Sequence, residues 1–255
     1  MHEDLERALS FGSVADLYDR ARPSYPDALV DDLIGFAPRD ILDVGTGTGK
    51  AARLFLMRGC DVLGVEADAR MAEVAREHGV VVEVSSFETW DAKARTFDLL
   101  ISGQAWHWVD PAVGGPKAVS VLRPGGRLAA FWNLGVHEPA VRTALESVYR
   151  RLAPEIAETT NALGYRDGRD ANRVEQLMST GGFSSVELRS YAWDHTYTRD
   201  AWLAYLATHS DHVQLAGGRR SALLEGVGAA IDSLGGEMAH HYQTVLILAT
   251  RQTGV

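Results

Sequence analysis

Residues 41–50 read Ile-Leu-Asp-Val-Gly-Thr-Gly-Thr-Gly-Lys, and they decide the fold. Ile41, Leu42 and Val44 form an apolar run the length of one buried strand. Gly45, Gly47 and Gly49 then fall at alternate positions, and residues 51–59 suit a helix. A strand, a glycine turn and a helix start make a seat for a nucleotide or adenosyl group. Glycines let the backbone come close to a ligand, and unpaired N–H groups at the helix start favour polar or anionic atoms. Asp43, at the strand's end, is placed to accept a hydrogen bond from a ligand amine or to order the turn. The spacing is not that of a P-loop, which would put Gly at Val44 and Ser or Thr at Ala51. It also departs from the dinucleotide fingerprint, whose third glycine would fall at Lys50. A second apolar run, 62–65, ends in Glu66, 21 residues after Gly45. That is near the roughly 20-residue offset at which an acidic side chain meets a ribose hydroxyl pair.

Outward from this stretch, residues 40–133 repeat strand and helix. The pattern predicts strands at 41–44, 62–66, 80–84, 97–102 and 127–132, and helices near 50–58, 69–77 and 111–121. Gly59 and Gly79 suit C-caps, and Asp110-Pro111 is an N-cap followed by proline at the first helical position. Such alternation predicts an α/β fold: a Rossmann-like sheet, mostly parallel, with helices on both faces and its ligand at the carboxyl ends of the strands. Val141, Leu145, Val148 and Leu152 recur at helical spacing. Strand character returns over 183–197, and strands near 183–191 and 242–250 are expected to complete the sheet, with helices at 200–206 and 219–234 between them. The expected organisation is an N-terminal helical lid segment, 1–37, and a cofactor-binding core, 38–134. A helical insert, 135–182, follows, then C-terminal strands, 183–255, that complete the sheet and carry a helical insert at 198–236. Both inserts are candidate substrate caps.

Three motifs carry a resemblance. Asp-x-Gly-x-Gly-x-Gly at 43–49 is followed by a strand closing on Glu66; residues 18–26 read Tyr-Asp-Arg-Ala-Arg-Pro-Ser-Tyr-Pro; residues 104–110 read Gln-Ala-Trp-His-Trp-Val-Asp. Together they resemble the class I S-adenosylmethionine-dependent methyltransferases, type 11, and within them the trans-aconitate methyltransferase-like enzymes. The resemblance implies a seven-stranded sheet with an antiparallel last strand. It also implies S-adenosyl-L-methionine as cofactor and S-adenosyl-L-homocysteine as product. Tyr18 and Arg22 would lie near the methionine carboxylate, which an arginine fork suits. Asp43, Gly45, Thr46 and Gly47 would form the turn around the cofactor, with Glu66, Ala67 and Met71 along the ribose and adenine. Ser86, where relatives usually have a carboxylate, and Phe87 would meet the adenine edge, with Glu88 a substitute by a small register shift. Gly103 and Gln104 would face the methionine end. Trp106, His107 and Trp132 would line an acceptor pocket, and His107 or Tyr18 would take a proton if the acceptor has one to lose.

Composition narrows the partners. The 255 residues carry a net charge of −9 without a basic run, so nucleic acid is not an expected partner. The single Cys60 cannot form an internal disulfide, and no apolar run approaches a membrane span. A cytoplasmic enzyme acting on a small-molecule acceptor, monomeric or homodimeric, is expected. O-Methylation of a carboxylate or hydroxyl is the anticipated reaction. The rival readings are an NAD-dependent oxidoreductase and a non-catalytic S-adenosylmethionine-binding protein. His209 and His212 flank Asp211 but lack the spacing and glutamate of a metalloprotease helix, and no metal is expected.

Overall fold

The computed structural model describes residues 10–164 and 170–254. The part of the expected lid segment at 1–9, and the part of the helical insert at 165–169, lie outside them. Seven strands form one sheet: β1 Asp40–Val44, β2 Asp61–Glu66, β3 Val81–Val84, β4 Phe97–Gly103, β5 Leu122–His137, β6 Phe183–Thr198 and β7 Glu237–Arg251. Their order is β3-β2-β1-β4-β5-β7-β6. The first five pair in parallel, whereas β7 runs antiparallel to both β5 and β6. The order reverses between β1 and β4, where a crevice opens at the strands' carboxyl ends.

Helices cover both faces. They are α1 Ala15–Ala21, α2 Asp27–Ile34, α3 Lys50–Leu56, α4 Ala69–Glu77 and α5 Pro111–Val121. Further along come α6 Pro139–Leu152, α7 Pro154–Ala157, α8 Asp170–Ser179, α9 Arg199–Leu206, α10 Ser210–Val213 and α11 Gly217–Ser233. Strand alternation sorts the core. Ile41, Leu99, Ile101 and Phe131 face α2 and α3 through Leu29, Leu33 and Phe55, while Leu42, Leu100 and Leu128 face Trp106 and Val121 on the other side.

The strands of the C-terminal half run further than the sequence predicts. The run expected at 127–132 is part of β5, 183–191 is only the start of β6, and β7 begins five residues before 242. Pairing continues without a break to His137↔His240 and Thr198↔Glu237. Residues 135–137, expected to open a helical insert, are therefore strand. The extra ladder is stabilised by a third core, in which Tyr197, Met238 and Tyr242 pack with Leu145 and Tyr149 of α6, Trp202 and Leu206 of α9, and Val227 of α11. The cap is thus a helical layer seated on the projecting ends of β5, β7 and β6. Among the described residues, no helix is long and apolar enough to cross a membrane.

Candidate functional site

The glycine turn leaves β1 with Gly45, Gly47 and Gly49 at φ of 68°, 57° and 81°. A side chain is strained at such angles, and a Cβ on Gly45 would sit 2.5 Å from that of Ala105. Thr46 Oγ1 donates to Asp43 Oδ2 at 2.7 Å, so Asp43 orders the turn. Its Oδ1 is buried without a hydrogen-bond partner. Burial pushes the Asp43 carboxyl up to about 7. A buried carboxylate oxygen of this kind is where a ligand's N–H would be most strongly held.

Glu66 grips the turn from β2. Its carboxylate accepts from Gly47 N at 2.8 Å and from Asp68 N at 2.9 Å. Burial raises its pKa even though these backbone groups favour the anion. Two N–H donors leave a carboxylate with acceptor capacity for a hydroxyl pair. Met71 is buried beside the turn, its methyl 3.5 Å from where a Gly47 Cβ would stand. Ala67 is exposed next to Glu66.

A cleft of about 520 Å³, partly open to solvent, runs from this turn to the cap. The turn from Asp43 to Thr48 lines it together with Lys50 and Ala51; opposite lie Tyr18, Arg22, Pro23 and Tyr25 of the N-terminal segment. Gly103, Gln104 and Asn133 form the floor, and Tyr205 of α9 reaches in from the cap. Arg22 spans the two sides. Its Nε and Nη2 donate to Thr208 Oγ1 and O at 2.7 and 2.9 Å, and its guanidinium lies about 5 Å from the ring centres of both Tyr18 and Tyr205. Gly103 makes room chiefly for Tyr25, whose hydroxyl would be 2.5 Å from a Cβ there. Gln104 keeps a positive φ of 58° and donates from Nε2 to Asn133 O.

Ser86 bonds Thr89 at 2.9 Å; the Phe87 ring is buried against Trp90 and Trp106; Glu88 accepts from Asp110 N. The adjoining Ser85 N bonds Glu66 O, so this loop borders the end of β2. Trp106 and Trp132 pack in the core under α5 and are not among the described residues lining the cleft. His107 Nδ1 accepts the Trp132 indole N–H at 3.0 Å. A neutral His107 then carries its proton on Nε2, which disfavours it as a proton acceptor. Burial raises the Tyr18 phenol, which keeps it protonated and disfavours the same role.

Tyr25, Asn133 and Tyr205 were missed as site residues. Tyr25 sits in the quoted 18–26 motif and could have been found there; Tyr205 comes from an insert whose packing the sequence does not display. In the cap, His209, Asp211 and His212 do offer ligand atoms within 4.8 Å of one another. His212, however, is bonded through Nδ1 to Asp211 at 2.7 Å and through Nε2 to the Tyr149 hydroxyl at 2.6 Å.

A methyltransferase domain model matches residues 42–130, which hold the turn, Glu66 and, of the cleft floor, Gly103 and Gln104. An uncharacterized methyltransferase of Mycobacterium tuberculosis is 33% identical over 208 residues, covering 80% of this chain and 78% of that one. A malonyl-[acyl-carrier protein] O-methyltransferase of Dechloromonas aromatica is 26% identical over 218 residues, 81% of this chain and 79% of its own. A protein of Anaeromyxobacter dehalogenans described as a type II methyltransferase superimposes with a TM-score of 0.67 at 23% identity, over 91% of this chain and 99% of its own, a likeness of fold alone. The glycine-turn cleft at the sheet's reversal and a relative a third identical along most of both chains have one common explanation: this chain belongs to the class I S-adenosylmethionine-dependent methyltransferases.

Proposed function

We propose that the chain moves a methyl group from S-adenosylmethionine to an oxygen of a small-molecule acceptor, a carboxylate or a hydroxyl. The observation that carries the cofactor side is the unpartnered, buried Asp43 Oδ1 in the wall of the glycine-turn cleft, which suits the methionine ammonium. Glu66 meets the ribose hydroxyls. Arg22, once drawn from Thr208, pairs the methionine carboxylate. The cofactor supplies an electrophilic methyl carbon, and the chain's task is alignment and exclusion of water. Within the two expected inserts, α6, α7 and residues 198–236 form the acceptor cap, and Tyr205 marks where it meets the cleft. The O-methyltransferase among the relatives favours oxygen over nitrogen as the receiving atom.

Calorimetric titration with S-adenosylhomocysteine, S-adenosylmethionine and NAD(H), on wild type and Glu66→Ala, tests the reading. Micromolar binding of both adenosyl ligands is expected, weakened about ten- to hundredfold in the variant through loss of hydrogen bonds to a charged group. Binding of NAD(H) in their place, or of no adenosyl ligand, would sink it.

A further inference from the structure

The sheet ends on β6, a strand of 16 residues with no strand on its outer side among the described residues. An edge strand presents a row of unpaired backbone N–H and C=O groups, the feature by which sheets join. Such edges are ordinarily blunted by proline, by lysine or by a bulge in mid-strand. β6 contains neither residue, and its register shifts only at its start, between Phe183 and Ser185. On one face, the even-numbered side chains from Leu188 to Thr198 are exposed, and Leu188 is 53% so. On the other face, Arg189 donates to both oxygens of Asp32 on α2 at 3.0 and 2.9 Å, and to Glu187 at 2.8 Å. The guanidinium is thereby held in place at the edge. Glu187 is exposed beside it, with acceptor capacity left over.

We propose that the free edge of β6 receives a second copy of this chain, whose own β6 adds antiparallel about a two-fold axis at Leu188, perpendicular to the sheet. Such an axis keeps every side chain on its own face, so residues that stand opposite are both even or both odd. The axis must therefore pass through a residue position, and charge decides which one. At Glu187, Arg189 or Asp194 it would set like charges directly opposite, which is destabilising. With the axis at Leu188, the Glu187 of each copy faces the Arg189 of the other. It is the one register in which Arg189 faces a carboxylate of the strand. The two exposed Leu188 side chains then face and cover each other, Val186 faces Ser190, and residues 184–192 of both copies form the ladder. An axis at Tyr191 would give a longer ladder, but it would set the apolar Leu188 against the Asp194 carboxylate. Strand direction reverses across the axis, so the two cofactor clefts open at opposite ends of the joined sheet.

Sedimentation velocity of the full chain across micromolar concentrations measures the dimer, and Leu188→Cys tests its register. Facing residues of an antiparallel pair have Cα atoms about 4.5–5.5 Å apart, inside the range of about 4.4–6.8 Å that a disulfide spans. Diamide, which takes up two hydrogens as two thiols become one disulfide, is expected to join Leu188→Cys copies covalently. Ala192→Cys is the control, exposed on the same face. In this register it faces Ser184 and stands about 27 Å along the strands from its own counterpart, so it should not link. Wild type, whose one thiol is the buried Cys60, sets the background on the non-reducing gel. Glu187→Arg leaves the Arg189–Asp32 pair in place; it is expected to weaken the dimer about tenfold or more without changing S-adenosylhomocysteine affinity. Wild type that stays monomeric at the highest concentration, a dimer indifferent to Glu187→Arg, or Ala192→Cys linking as readily as Leu188→Cys would overturn the proposal. The sedimentation of wild type decides the first point even if a variant fails to fold.

Discussion

Asp43 makes cofactor affinity a function of pH. Its carboxyl titrates near 7 in the ligand-free protein because burial opposes the charge. A ligand ammonium needs the anion, so below about pH 7 binding must first expel a proton. Affinity for S-adenosylhomocysteine is expected to fall about tenfold per pH unit below that point and to be flat above it. Asp43→Asn should bind weakly with no such slope, and calorimetry across the range would decide. The sign for the empty protein is the opposite. A carboxyl raised in the fold favours folding at low pH, and that contribution is lost as pH rises through about 7. At this scale the sequence was informative wherever a role follows from chain-local geometry. Asp43 and Glu66 sit at strand ends, and strand ends converge. At Trp106 and His107 it did not discriminate, because an aromatic flanking a histidine describes a core contact as readily as a pocket wall. It was silent on Tyr205, which meets Arg22 from nearly 200 positions away.

Among the elements, the loop between β3 and β4 is kept in place by an ion pair. Glu83 on β3 accepts two hydrogen bonds from Arg95 at 3.0 and 2.8 Å and one from the Trp90 indole. The Arg95 bonds, aided by Trp90, pull its carboxyl down to about 2. A depressed carboxyl stabilises the fold above its ordinary range and loses that contribution as pH falls through about 2. Glu83→Gln is expected to lower the Tm by a few degrees near neutrality, about 2–4 °C per kcal/mol lost, with the gap to wild type closing as both are acidified. A gap that stays constant down to the lowest pH would show that the ion pair is not its source. The parallel strands and their helices were readable because periodicity and glycine or proline punctuation agreed there. The strand character of 183–197 was readable as well, but where the strand begun at 183–191 would stop was not, because Tyr191, Trp193, His195 and Tyr197 continue the alternation. An aromatic stripe without a turn signal leaves a strand's end undefined, and tertiary contacts with α6, α9 and α11 set it instead.

Across the whole molecule, ligand binding and folding are linked. S-adenosylhomocysteine at about 100 times its Kd should add roughly 2.7 kcal/mol, raising the Tm by about 5–10 °C for a chain of this size. Differential scanning calorimetry with and without the ligand measures it, and a shift below a degree would mean that the cleft does not hold the adenosyl group. A single transition is expected in both scans, since the ladder of β5, β7 and β6 passes unbroken from the sheet core into the cap core.

That shared ladder also governs how the protein can be re-engineered. In many two-layer enzymes a substrate cap can be exchanged by cutting at the loops that join it to the base. Here no such seam exists on the C-terminal side, because the same hydrogen-bonded strands run through base and cap. A graft meant to bring a new acceptor must carry the strand tips, 133–137, 192–198 and 237–244, along with the helices, and must preserve the register His137↔His240 that aligns them.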